Sequence, residues 1–321
     1  MSAEQLKVCF VVNPQSASGR TGQAWEQVSA ELRGRVGDFT VKKTTQAGDG
    51  MVLTREALLE GHDLVISVGG DGTNNEVVNG FFSSEGRPVR EGAMFSFFAS
   101  GSGSDLQRTL PTTRNASELA EMILRGGIRH LDVGSLEWTD ARGEKGQRYF
   151  LNIASFGMSG LVAQLTNRSR LKRWSAKLAF QWASIRGFFG FPNVPLRIYR
   201  DDQPVYEVRS RLGAICNGRC FGSGMRMAPQ AEMDDGLLDL ILLEGFTLPY
   251  LLTKFGTIYK GTHVDLKGVT THRVRRLRVE SDFPDVLMEI DGEELGRLPL
   301  VCEVMAGALP FRHLMQGVIK P

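Results

Sequence analysis

The chain has 321 residues, of which 42% are hydrophobic and 23% charged, with a net charge of +2. That length supports two domains with separate cores, the composition excludes general disorder, and the small net charge excludes a broad electrostatic attraction for nucleic acid. Met1 to Lys7 lacks a charged-then-apolar signal pattern, and no apolar run approaches the roughly 20 residues a membrane span needs, which predicts a soluble cytoplasmic protein. Cys9, Cys216, Cys220 and Cys302 are scattered, as reduced core thiols would be; no second pair or nearby histidines complete a zinc site around Cys216 and Cys220.

Lys7 to Val12 reads as a strand that ends at Asn13-Pro14, followed by a small polar loop and the helical spacing of Trp25, Val28 and Leu32. Phe39 to Lys43 gives a second strand, the Thr44 to Asp49 loop follows, and a helix is predicted across Met51 to Leu59. Leu64, Val65, Ile66 and Val68 form the β-branched-rich run expected of a strand covered on both faces. It ends abruptly in Gly69, Gly70, Asp71, Gly72 and Thr73. Glycines let backbone N–H groups approach an anion without a Cβ in the way, and a helix predicted over Asn74 to Phe82 would aim its N-terminus at the same point. The run therefore reads as a phosphate site, against the competing reading of a tight turn whose glycines serve packing alone. Asp71, itself an anion, would act through Mg²⁺-bound water or by orienting its neighbours. Met94 to Phe98 is a further buried strand, leading into the polar loop Ala99 to Asp105. Strands alternating with helices imply a mainly parallel α/β sheet, which gathers ligands at the C-terminal ends of its strands.

From about Arg129 closely spaced strands take over: Leu131 to Trp138, Tyr149 to Ala154, Val194 to Tyr199, Val205 to Val208, Leu212 to Cys216, Leu237 to Leu243, Arg275 to Glu280, Val286 to Ile290 and Leu298 to Val304. The expected division is an α/β domain over residues 1–128 and a β-rich, sandwich-like domain over 129–307, with Ala308 to Pro321 returning to pack on the first. Gly126-Gly127 marks the boundary.

Taken together, these residues resemble the diacylglycerol kinase catalytic family, which includes bacterial lipid kinases, sphingosine kinases and ceramide kinases. The resemblance covers nearly the whole chain. It runs through Asn13-Pro14 with Gly19, Thr44 with Gly48-Asp49, Gly69 to Thr73 with Asn75-Glu76-Val77, Gly101 to Asp105, and Leu131 to Gly134. It continues through Asn152 to Gly157, Cys216-Asn217-Gly218, Gly222 to Met225, Ala228-Pro229, Asp234 to Asp239, and Ile290-Asp291-Gly292-Glu293. The glycine motif alone also resembles NAD kinases and phosphofructokinases; the later Asp-Asp-Gly and Asp-Gly-Glu segments favour lipid kinases.

The resemblance implies an ATP- and Mg²⁺-dependent lipid kinase with a nucleotide-binding first domain and an active site in an interdomain cleft. The γ-phosphoryl group would pass to the hydroxyl of a diacylglycerol-like lipid. It implies an ATP site formed by Asn13, Thr44, Gly69, Gly70, Asp71, Gly72, Thr73, Asn74, Asn75, Gly101, Ser102 and Gly103, and an acid network of Asp71, Asp105 and Asp132. Carboxylates from three loops could hold Mg²⁺-bound water on the phosphates. Taken singly, Asp105 reads as a cap for a helix starting at Leu106, and Asp132 as a strand-start acid. Ser104 stands where many members have Asn. The alternatives are a kinase of a soluble acceptor such as NAD, or a nucleotide- or lipid-binding regulator without turnover.

For the base that accepts the hydroxyl proton, the resemblance points first to Asp291, with Glu293 tuning charge or helping to position metal, and Asp71 second. From the bare sequence, Asp291-Gly292 is a hairpin turn. Asp234-Asp235-Gly236 likewise reads as a turn, and the resemblance makes it a structural Mg²⁺ site using Asp235 and the carbonyls of Glu232 and Leu237. Finally, Leu171, Trp174, Leu178, Trp182, Ile185, Phe188 and Phe189 recur at helical spacings behind a basic start at Arg168, Arg170, Lys172, Arg173 and Lys177. Such an amphipathic helix either covers the second core or meets an anionic membrane surface, at the inner membrane face.

Overall fold

A computed structural model describes residues 6–100, 104–110, 112–139, 142–169, 182–183, 186–187 and 189–315, with the backbone alone at 167, 248, 251 and 252. The chain forms two compact units, Met1–Leu131 with Gly307–Pro321, and Asp132–Ala306.

The first unit is built on strands β1 (Val8–Val12), β2 (Thr40–Lys43), β3 (Leu64–Gly69) and β4 (Met94–Ala99). They pair in parallel in the order β2, β1, β3, β4. Both faces of β1, β3 and β4 are buried, which is why their sequences are mainly apolar rather than alternating, with Ser67 and Ser96 the buried polar exceptions. Helices α1 (Arg20–Val36), α2 (Asp49–Leu59), α3 (Asp71–Gly80), α4 (Asp105–Thr109) and α5 (Ala116–Arg125) supply the covering layers. Phe10 of β1 packs against Trp25 of α1 at 5.0 Å and Phe39 at 4.8 Å between ring centroids, in tilted and edge arrangements that favour aromatic pairs. Phe311, near the C-terminus, pairs in parallel register with Phe95 of β4.

Helix α3 starts at Asp71, three residues before the expected Asn74. Its first turn is buried but polar, at Thr73, Asn74 and Asn75, so apolar periodicity carries no signal there. Helix α2 likewise begins at Asp49 rather than Met51, behind a left-handed Gly48.

The described residues of the second unit are rich in strand, with helices at Met158–Arg168, Leu248–Lys254 and Gly256–Lys260. Following β5 (Gly127–Thr139) come β6 (Lys145–Phe150), β7 (Ile153–Gly157), β8 (Val194–Arg200), β9 (Tyr206–Cys216), β10 (Leu238–Glu244), β11 (Val269–Val274), β12 (Arg276–Glu280), β13 (Leu287–Ile290), β14 (Glu293–Arg297) and β15 (Leu300–His313). Helix α6 (Met158–Arg168) follows β7 directly. The pairings β14 to β13, β13 to β7, β7 to β9, β9 to β8 and β10, and β8 to β12 are all antiparallel. A core including Phe150, Phe156, Ile198, Ile215, Leu240, Val279, Met288 and Cys302 fills the unit, giving the sandwich-like β-rich domain.

Three sequence expectations change here. The predicted strand Tyr149 to Ala154 is two strands, because the Asn152 carbonyl turns aside to accept N–H bonds from Asn217 and Gly218, each at 2.9 Å. Conversely, the predicted Val205 to Val208 and Leu212 to Cys216 are one strand, β9. Its middle, Arg209 to Arg211, looks polar in sequence, but Ser210 is buried with its hydroxyl donating to the carbonyls of Leu212 and Leu243. Strands β11 and β14 were absent from the sequence reading, since their polar residues hide the alternation.

All four cysteines are free and buried, and burial pushes the Cys9 thiol up to about 12 and those of Cys216 and Cys302 upward as well. Among the described residues no helix is long and apolar enough to cross a membrane.

Candidate active site

In the first unit the register brings the ends of four parallel strands to one edge. Val12 lies beside Lys43 and Val68, and Gly69 beside Ala99. The next residues in each chain segment are therefore neighbours: Asn13 after β1, Thr44 after β2, Gly70 after β3 and Ser100 after β4. Backbone bonds tie them, from Asn13 N–H to Val68 C=O and Thr44 N–H to Val12 C=O at 2.9 Å each, and from Ser100 N–H to Gly69 C=O at 3.3 Å. Asn13 also donates its side-chain amide to Thr73 Oγ1 at 3.1 Å.

Gly69 has a packing reason. A Cβ there would lie 2.5 Å from Thr73 Oγ1, so only glycine lets α3 start flush against the strand end. The consequence is a set of half-buried backbone donors at Gly70, Asp71 and Gly72. Gly70, the extended residue before α3, and the helix's first turn carry no side-chain cap, and N–H groups in a first turn have no intrahelical acceptor. Such an end favours an anion by both hydrogen bonding and helix dipole.

The neighbouring helix ends are closed differently. Asp71 Oδ2 accepts the N–H of Asp105 at 2.9 Å and its Oδ1 accepts that of Leu106 at 3.2 Å. So α4 begins at Asp105 itself, and the capping carboxylate is Asp71, not Asp105 as the sequence suggested. The Asp105 carboxylate instead meets Arg108 at 3.3 Å. Glu76, buried in α3, accepts the N–H groups of Gly48 and Gly50 at 2.8 and 2.9 Å and so closes the start of α2. Asp49 accepts from the backbone of Thr45 and Gln46, and these bonds, led by that from Thr45, hold its carboxyl below the usual range. Two acids on one short helix thus fix the two loops that flank it. Sequence reasoning gave Glu76 no role; its partners are backbone N–H groups of Gly48 and Gly50, which leave no signal in residue type. Ser104 adopts left-handed backbone at φ 48° and accepts from Arg114 at 3.1 Å. Gly101, Ser102 and Gly103 lie outside the described residues.

In the second unit Asp132 is buried, and its Oδ2 accepts the Gly236 N–H at 2.7 Å. It therefore anchors the Asp234-Asp235-Gly236 turn. Asp235 accepts from Leu237 N–H at 3.0 Å and is ion-paired with Arg273. Glu232 is exposed on the same loop. Arg273 thus neutralises the Asp235 carboxylate at this turn. Among the described residues no group of three or more His, Cys, Asp or Glu side chains is placed to hold a metal ion.

Asp291 and Gly292 form the two-residue loop between β13 and β14, with Ile290 paired to Glu293. Positive φ at both, 49° and 87°, is the twist such a hairpin demands, so the hairpin reading of the sequence holds. Asp291 extends the ladder onto Ile153, donating its N–H to the Ile153 carbonyl at 3.2 Å and accepting the Ile153 N–H on Oδ1 at 3.4 Å. Glu293 pairs with Arg148 at 3.1 Å. Beneath the turn lies Glu289, which sequence reasoning passed over as an ordinary strand residue. It is buried, hydrogen-bonded to Ser155, and accepts the Gly292 N–H at 2.7 Å; burial pushes its carboxyl up to about 7 against the lowering effect of those two bonds.

Residues 7–136 match the model of the diacylglycerol kinase catalytic domain, and residues 152–312 match that of the YegS C-terminal NAD kinase beta sandwich-like domain. The chain belongs to the diacylglycerol kinase catalytic family. A diacylglycerol kinase of Mycobacterium tuberculosis is 29% identical over 325 residues, covering 99% of this chain and 100% of that one. The crystal structure of a diacylglycerol kinase from Bacillus anthracis str. Sterne aligns over 98% of both chains with a TM-score of 0.68 at 20% identity. An NAD kinase from Archaeoglobus fulgidus, solved in complex with ATP, shares the fold at a TM-score of 0.50 and 14% identity over 97% of this chain and 94% of that one. Membership makes the chain a kinase, and the fold is that of its family and of NAD kinases.

Proposed function

We propose that this kinase transfers the γ-phosphoryl group of ATP to the hydroxyl of a diacylglycerol-like lipid. The observation that carries the reading is the uncapped start of α3, set among Asn13, Thr44 and Thr73 while the adjacent helix ends are closed by Asp71 and Glu76. Only donors left unused can bind phosphate. The Archaeoglobus fulgidus NAD kinase holding ATP on the same fold is consistent with a nucleotide there.

In this reading Asn13, Thr44 and the backbone of Gly69 to Asn75 bind and orient the phosphates, with Gly101, Ser102 and Gly103 assigned to the same site. Asp291 accepts the proton of the lipid hydroxyl as the oxygen attacks, and Glu293 tunes charge beside it. Positioning and electrostatics supply most of the catalysis in phosphoryl transfer. Asp71 has both carboxylate oxygens engaged by backbone N–H groups, which suits an orienting acid better than a base. Mg²⁺, when bound with the nucleotide, would supply neutralising charge on the phosphates, and in the first unit Asp71 and Asp105 would hold it through water rather than as direct ligands.

The deciding experiment measures ATP consumption with no acceptor, with mixed lipid extract and with NAD. Lipid-dependent turnover whose product is a phosphorylated lipid by mass spectrometry supports the reading. Turnover with NAD alone, or none with either acceptor, would replace it with the soluble-acceptor or the non-catalytic reading.

A lipid kinase also needs access to a bilayer, and we assign it peripheral contact with an anionic surface. The amphipathic stretch from Arg170 to Gln181 lies outside the described residues, as do Ile185 and Phe188. Of the described residues, Trp182, Phe189, Phe255 and Tyr259 are exposed aromatics, with Arg186 over the Trp182 ring at 5.1 Å and exposed Lys254 and Lys260 flanking the last pair. Flotation with anionic vesicles at low and high salt tests this; no binding at low salt removes it.

A further inference from the structure

Strand β13 is buried along its whole length, and three of its four residues are Leu287, Met288 and Ile290. The fourth, Glu289, puts a carboxyl into that setting, where an unpaired polar group is costly. Its two oxygens are both used. One meets the Ser155 hydroxyl on β7, opposite it in register, and the other accepts the N–H of Gly292, three residues ahead and inside the hairpin loop.

The bond from the Gly292 N–H lies outside the β13–β14 register and is an added constraint on the turn. Asp291 is thereby fixed from two directions. Its own N–H and Oδ1 are bonded to the backbone of Ile153, while the next peptide is pulled inward by Glu289. Because Asp291 sits at positive φ, a conformation unfavourable for a residue with a Cβ, the loop needs such fastening to keep one geometry.

We propose that Glu289 is a positioning residue for phosphoryl transfer: through Gly292 it holds the Asp291 turn in the geometry needed to accept the hydroxyl proton. This rests on the assignment of Asp291 as the base. The bond acts by shape rather than by charge. Glutamine can therefore replace Glu289, its carbonyl accepting from Gly292 and its amide donating to Ser155, whereas leucine cannot.

The test compares wild type, E289Q and E289L by steady-state kinetics with ATP and diacylglycerol in mixed micelles, and by hydrogen exchange of the segment containing Gly292. E289L is expected to lose roughly 10²-fold in kcat, the scale of a small misplacement of a catalytic group, with KM for ATP within about twofold of wild type. Exchange at Gly292 should rise about tenfold in E289L, in keeping with one lost hydrogen bond. E289Q should stay within about threefold of wild type in kcat with wild-type exchange. Wild-type kcat and exchange in E289L would overturn the proposal, as would E289Q falling as far as E289L. If wild type turns over no diacylglycerol, the assigned reaction fails; unchanged Gly292 exchange in E289L then refutes the fastening separately, and raised exchange supports it.

Discussion

Asp71 reaches Asp105 through its backbone: the Asp71 carboxylate accepts the Asp105 N–H at 2.9 Å and the adjoining Leu106 N–H at 3.2 Å. The acid in the glycine turn thereby sets where the following loop ends and α4 begins. Removing that acceptor leaves two first-turn donors without a partner. Asp71→Ala should cost about 0.5–2 kcal/mol, the range for losing a helix cap, and should depress ATP turnover far more than that stability loss explains. Thermal melts and kinetics on the same preparation check both. Wild-type turnover in a folded variant would exclude Asp71 from the site.

Gly69→Ala tests whether the glycine turn must be flush. The added methyl would meet Thr73 at 2.5 Å and push the start of α3 away from β3. Overpacking of this kind costs about 1–3 kcal/mol. The expected signature is a rise in Kd for ATP of at least about tenfold in a protein that still folds, seen by calorimetric titration with nucleotide. Unaltered nucleotide affinity would mean that phosphates do not sit there.

For the proton acceptor, Asp291→Asn and Glu293→Gln separate two neighbours. Loss of a general base costs about 10²–10⁴-fold, so kcat of D291N should fall in that range with ATP affinity kept. E293Q removes a half-exposed partner of Arg148 and should fall less. The reverse order would move the base to Glu293.

The stability of the second unit carries a pH dependence from Glu289. Its carboxyl titrates near its usual 4.5 when unfolded and at about 7 when folded, because burial disfavours the charged form. Between those values the unfolded chain has released the proton and the folded chain keeps it. Folding therefore takes up a proton, and this contribution is fully present below about pH 4.5 and lost as pH rises through about 7. The full swing is on the order of 3 kcal/mol. Urea melts of wild type and E289Q at pH 5 and 8.5 check it: the stability of wild type relative to E289Q should be lower at the higher pH. Equal differences at both would place the Glu289 ionisation elsewhere. Taking the difference also removes groups such as Asp49 and Asp63, whose lowered values act in the opposite direction at acid pH.

The sequence by itself determined the strand and helix alternation of the first unit and the β-rich character of the second. Short, β-branched-rich apolar runs such as Leu64 to Val68 suit a strand buried on both faces. It also determined the hairpin at Asp291-Gly292, because few residue pairs accept positive φ twice in succession. Local chemistry suffices for such features.

What only the tertiary structure decided is who meets whom. Asp71, Glu76 and Glu289 are acids whose type says nothing of their partners; each is engaged by backbone N–H groups of a helix start or a loop, which leave no trace in residue identity. Strand β9 escaped for a related reason. Its polar centre is tolerated only because Ser210 finds two carbonyls, one from the neighbouring strand. Hydrogen bonds between side chains and distant backbone are fixed by register and packing, so they become visible only once the strands and helices have been placed.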